Sequence, residues 1–133
     1  MPTTTTSTTP LWAARILTGL VVSFLLFDAI IKVLQLAPAV QGTVALGYQP
    51  SAVLTIGVVE LICITVYVIP RTSLLGAILL TGYLGGAIAS QLRVGNPLFS
   101  HVLFPMYVAG MIWGGLYLRE PRLHILVPIM ANA

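Results

Sequence analysis

Residues 11–36, LWAARILTGLVVSFLLFDAIIKVLQL, are long and apolar enough to cross a bilayer, yet they carry Asp28 and Lys32 one helical turn apart. A spanning helix needs about 20 mostly apolar residues. An ionisable group inside one is costly and conspicuous, and it marks a functional site unless a partner explains it. The rest of the chain is read by asking what these two residues face.

Composition supports the membrane reading. The chain is 58% hydrophobic and only 7% charged, against about 25% charged in soluble domains. Too few charges remain to cover a surface facing water. The six basic residues are scattered singly near the ends of apolar runs, where they act as topology signals and form no nucleic-acid footprint. The single cysteine, Cys63, excludes an intrachain disulfide framework, a paired-cysteine redox centre and a cysteine-rich metal site.

Four apolar segments are expected to be spanning helices, at about residues 11–36, 52–69, 73–92 and 98–118. Backbone polar groups in hydrocarbon must pair within their own segment, which favours helices, and the alternation of a barrel strand is absent. The expected fold is an all-α integral membrane four-helix bundle over residues 11–122. A disordered Thr-rich tail (residues 1–10) precedes it, and a tail containing His124 and Pro128 (residues 123–133) follows, lying along the membrane surface. Because the first ten residues contain no basic residue, the first apolar run is a retained span rather than a secretory signal. The connection between the first two spans, residues 37–51, has room for a short interfacial helix or a re-entrant turn.

With the N-terminus inside, Arg15, Arg71, Arg119 and Arg122 fall on the inner side, and Lys32 and Arg93 on the outer. The positive-inside rule then places both termini in the cytoplasm. Small residues recur four apart at Gly82/Gly86 and Gly110/Gly114, which predicts close packing of the third span on the fourth, or a homodimer contact. Trp12, Trp113 and Tyr117 suit interfacial belts.

Counting depth at about 1.5 Å per residue, all four spans deliver polar groups to the outer half of the membrane. These are Asp28 and Lys32 from the first, Glu60 from the second, and Tyr83, Gln91 and Arg93 from the third, with His101 at the mouth of the fourth. Asp28 and Lys32 share a helix face and can pair. Glu60 shares its face with Gly57, Cys63 and Tyr67. It has no basic residue in its own span, so it needs a partner from another helix or a proton. The plainer alternatives are a structural Asp28–Lys32 ion pair with Lys32 snorkelling outward, a structural Glu60, an interfacial His101 and a core-packing Cys63.

The stretches RILTGLVVSFLLFDAIIKVLQ, LGYQPS and IGVVELICITVYVIPRTSLLGAILLTGYLGGAIASQLRVGNPLFSHVLFPMYVAGMIWGGLYLR resemble the DoxX-like family of small four-helix bacterial membrane proteins. That resemblance implies a bundle in the bacterial cytoplasmic (inner) membrane, in a family some of whose members are associated with quinone-linked redox activity. The residues themselves favour a binding or transport bundle. In it Asp28, Lys32, Glu60, Tyr83, Gln91, Arg93 and His101 would line an outer-half pocket for a small lipophilic molecule, with a quinone as a candidate and no cofactor required. The alternative is a membrane subunit of a quinone-linked oxidoreductase complex. Without a dinucleotide fingerprint or a haem-ligating His pair, the isolated chain is not expected to be an enzyme. The expected partners are the lipid bilayer, the ligand, and a second copy or a redox subunit.

Overall fold

The computed structural model of the chain describes residues 8–126, and everything regular among them is helical. There are six α-helices: α1 (Thr8–Val33), α2 (Ala37–Ala45), α3 (Ala52–Val68), α4 (Ser73–Arg93), α5 (Phe104–Arg119) and α6 (Pro121–Leu126). A 3-10 turn at Pro70–Thr72 and a π turn at Leu98–Val102 complete the described residues. Three stretches, Leu11–Val33, Pro70–Arg93 and Leu98–Arg119, are long and apolar enough to cross a membrane, and Ala52–Val68 is a shorter apolar helix.

The four longest helices close into a ring. α1 packs on α3, α3 on α4, α4 on α5 and α5 back on α1, and only long side chains reach across the diagonals. Each helix turns one stripe inward. On α1 the stripe is Ala14, Val21, Leu25 and Ala29, spaced by whole helical turns. On α3 it is Val53, Gly57, Glu60, Ile64 and Tyr67, so Glu60 occupies a core position. The outer faces stay apolar: Leu20, Phe27, Ile62 and Ile78 are each more than half exposed. Apolar residues both inside and outside are what a lipid solvent calls for.

Helix ends follow local chemistry and shift some expected boundaries. α1 stops at Val33, three residues before the end of the expected span, because Gln35 turns left-handed (φ 54°) and Pro38 cannot continue the helix. The expected fourth span does not run as one helix. Pro105 lies in the first turn of α5, so regular α-helix starts only at Phe104 and residues 98–102 are wound as the π turn. The long connection is folded into α2. Residues 8–10, expected in the disordered tail, belong to α1. The rest of that tail, and residues 127–133 with Pro128, lie outside the described residues, as does the His124 side chain.

The expectation that the Gly82/Gly86 and Gly110/Gly114 rows join α4 to α5 is overturned: a Cβ at Gly82, Gly86 or Gly110 would meet nothing within 4 Å, and one at Gly114 would meet only Leu17 of α1. The close approaches occur elsewhere. A Cβ on Gly76 would lie 2.3 Å from the Tyr67 backbone, and one on Gly115 2.7 Å from Thr18 Oγ1. A Cβ on Gly57 would lie 2.8 Å from Lys32 Cβ. Glycine spacing reports small surface, but only the helix crossing decides which row carries the contact.

Candidate functional site

Lys32 stands at the centre of a polar cluster. Its Nζ donates to Asp28 Oδ2 at 2.5 Å, to Tyr83 Oη at 2.8 Å and to Glu60 Oε2 at 3.2 Å. Tyr83 Oη donates in turn to Glu60 Oε2 at 3.0 Å, and the ammonium lies 5.5 Å from the Tyr83 ring centre. Three helices therefore meet in one network. α1 supplies Asp28 and Lys32 at four-residue spacing, α3 supplies Glu60 from its buried stripe, and α4 supplies Tyr83. Gly57 lets α1 and α3 approach closely enough for the Lys32 stem to pass.

Burial grades the members. The Glu60 side chain is 0% exposed, Lys32 15% and Asp28 33%. Burying two carboxylates beside one ammonium is tolerable only when their hydrogen bonds are made. One is not: Glu60 Oε1 is buried and has no hydrogen-bond partner.

The cluster is set into the wall of a cavity of about 430 Å3, within the roughly 300–1,000 Å3 range of small-molecule sites. Most of the wall is apolar. Phe24 and Phe104 meet edge to face there, 5.4 Å between ring centres. Residues of α2, among them Pro38, Ala39 and Thr43, line another side.

The structure gathers Asp28, Lys32, Glu60 and Tyr83 into direct contact and places Gln91 on the same cavity wall. Gln91 Oε1 accepts a hydrogen bond from Asn96 Nδ2. Arg93 and His101 lie off the wall. Arg93 Nη2 donates to Leu46 O at 3.0 Å across Gly47, whose φ of 95° and close guanidinium leave no room for a side chain. His101 is exposed in the π turn, with Nδ1 2.8 Å from Ser100 Oγ. Charge and rough depth singled out both residues, but neither quantity fixes which way a helix end faces.

Two residues on the wall escaped sequence reasoning. Tyr48 Oη and Ser90 Oγ are hydrogen-bonded at 2.6 Å, and both line the cavity. Tyr48 lies in the connection at residues 37–51, and Ser90 follows Gly86 at the same four-residue spacing that separates Gly82 from Gly86. An aromatic residue in a Gly-Pro turn facing α4 was the available signal.

The opposite end of the ring also buries a charge. Arg119 places its guanidinium 5.1 Å from the Tyr67 ring centre, with Nε and Nη2 unpaired. Tyr67 Oη donates to Ile112 O at 3.0 Å. At the junction of α5 and α6, Glu120 accepts from Arg122 Nε at 2.9 Å, and its hydrogen bonds from Arg122 hold its carboxyl below the usual range.

The family model described as the DoxX-like family matches residues 16–115, which include every member of the cluster. No curated protein matches the chain, and no solved structure does.

Proposed function

The chain belongs to the DoxX-like family, and on that premise we propose that it crosses the bacterial cytoplasmic membrane four times and binds or carries a small lipophilic molecule. Both termini would face the cytoplasm. The observation that supports this reading is a polar cluster of Asp28, Lys32, Glu60 and Tyr83 in the mostly apolar wall of a cavity of about 430 Å3. Cofactor and ligand sites in helix bundles are built from inward side chains of facing helices in this way. The apolar wall holds the body of the molecule, and the polar residues orient its head. Gln91, Tyr48 and Ser90 offer further hydrogen bonds along the same wall.

A quinone is one candidate occupant. Native mass spectrometry of the full chain, extracted mildly from membranes, tests the reading. A lipophilic molecule retained by the wild type should be lost from Asp28→Asn. Equal retention by both, or no retained molecule together with no binding of a short-chain quinone or other lipophilic probe, counts against it.

The open glycine row on α4, where Gly82 and Gly85 meet nothing within 4 Å, favours a second reading as the membrane subunit of a redox complex. Enlarging Gly82 would then release a co-purifying subunit while leaving cavity ligands in place.

A further inference from the structure

Two carboxylates and one ammonium make up the charged part of the cluster, so with all three ionised it carries one surplus negative charge. The elements packed around it bring no second cation. α4 contributes the Tyr83 hydroxyl, α3 adds the Cys63 thiol beside Glu60, and α2 contributes only the Thr43 hydroxyl, already bonded to Ala39 O at 2.8 Å. The wall formed by α5 is Phe104, Pro105 and Val108. Arg93 is engaged with Leu46 O.

A surplus charge in a largely apolar site is costly and is removed by a proton or by a counter-ion. The geometry provides a place for each. Glu60 Oε1, buried and unpaired, is a carboxyl oxygen on which a proton can reside. Asp28, one-third exposed (33%) and on the cavity wall, is the carboxylate that an entering molecule can reach. The Phe24–Phe104 pair in the same wall suits an apolar cation, because aromatic faces attract positive charge.

We infer that the Asp28–Glu60 pair holds one exchangeable proton and that the cavity takes a lipophilic cation in its place. This rests on the cavity being a ligand site, and it specifies the class of ligand. The exchange balances: the cation enters against Asp28, the O–H bond on Glu60 breaks, and the proton leaves to water. Lys32 and Tyr83 keep their bonds to Glu60 Oε2, so the second carboxylate that forms is already solvated by two donors.

The experiment compares benzyltrimethylammonium, a permanent cation that can neither bring nor lose a proton, with its uncharged carbon isostere neopentylbenzene. Binding to the detergent-solubilised full chain is measured by calorimetry across pH and in buffers of different ionisation enthalpy. The cation should bind and release one proton, with Kd rising roughly tenfold for each pH unit lowered below the point of exchange. Glu60→Gln should abolish both the release and the pH slope.

Equal binding of the two probes with no pH slope overturns the exchange and leaves the cavity reading standing. Failure of both probes to bind overturns both. Should Glu60→Gln fail to fold, infrared spectroscopy of the wild type decides. The carbonyl stretch of a protonated carboxylic acid must be present in the free protein and disappear on adding the cation, and its absence overturns the inference.

Discussion

Each end of the helix ring sets an inward-facing tyrosine against a partly buried cation, and the two ends solve that problem differently. Around Tyr67 the helices close tightly. Gly76 brings α4 onto the Tyr67 backbone, Tyr67 Oη is satisfied by Ile112 O, and Arg119 lies on the ring. Around Tyr83 the packing leaves space. The hydroxyl bonds to charged side chains, and a cavity remains beside them. The Tyr67 end reads as a fastening and the Tyr83 end as a site. What separates them is whether backbone or side chain answers the tyrosine, since side-chain networks can rearrange around a ligand and backbone contacts cannot.

The comparison breaks most easily at Lys32. Lys32→Met removes the one cation that, among the described residues, faces the two carboxylates, and should cost about 3–5 kcal/mol, read as a large fall in thermal stability in detergent. A neutral result would mean that the network is not held as described. At the closed end, Gly76→Ala should cost about 1–3 kcal/mol through overpacking. Gly82→Ala, on open surface, should be neutral or slightly stabilising, and equal effects at the two glycines would erase the contrast. Tyr67→Phe should lose about 0.5–1.5 kcal/mol with its single hydrogen bond and leave ligand retention untouched. Tyr83→Phe, by contrast, should change ligand retention more than stability. The smallest effect belongs to the surface pair Glu120–Arg122. Its contribution is present above the unfolded-state pKa of Glu120 and is lost as pH falls through the lowered folded value, and Arg122→Ala should leave the melting temperature unchanged.

Much of this was legible in the sequence because lipid imposes a severe filter. Asp28, Lys32 and Glu60 stand out among apolar neighbours, and helical periodicity alone puts Asp28 beside Lys32 and Glu60 on the face of Gly57 and Tyr67. Periodicity cannot supply the rotation of one helix against the next. That is why depth alone groups Arg93 and His101 with the cluster although they lie off the wall, and why spacing points to Gly82 and Gly110 where Gly76 and Gly115 make the crossings. Pro105 was visible, but its effect on the last span depends on how residues 98–102 wind ahead of it. The role of α2 as a cavity wall required knowing where residues 37–45 come to rest, which no local pattern encodes.

The arrangement of charges also bears on how the protein is made. Asp28 and Lys32 neutralise each other within one helix, so α1 can enter the bilayer by itself as synthesis proceeds. α3 contains no basic residue, so its acid has no company until the earlier helix is already beside it. The order of the chain thus doubles as an order of assembly, with the first helix waiting in the membrane to receive the next.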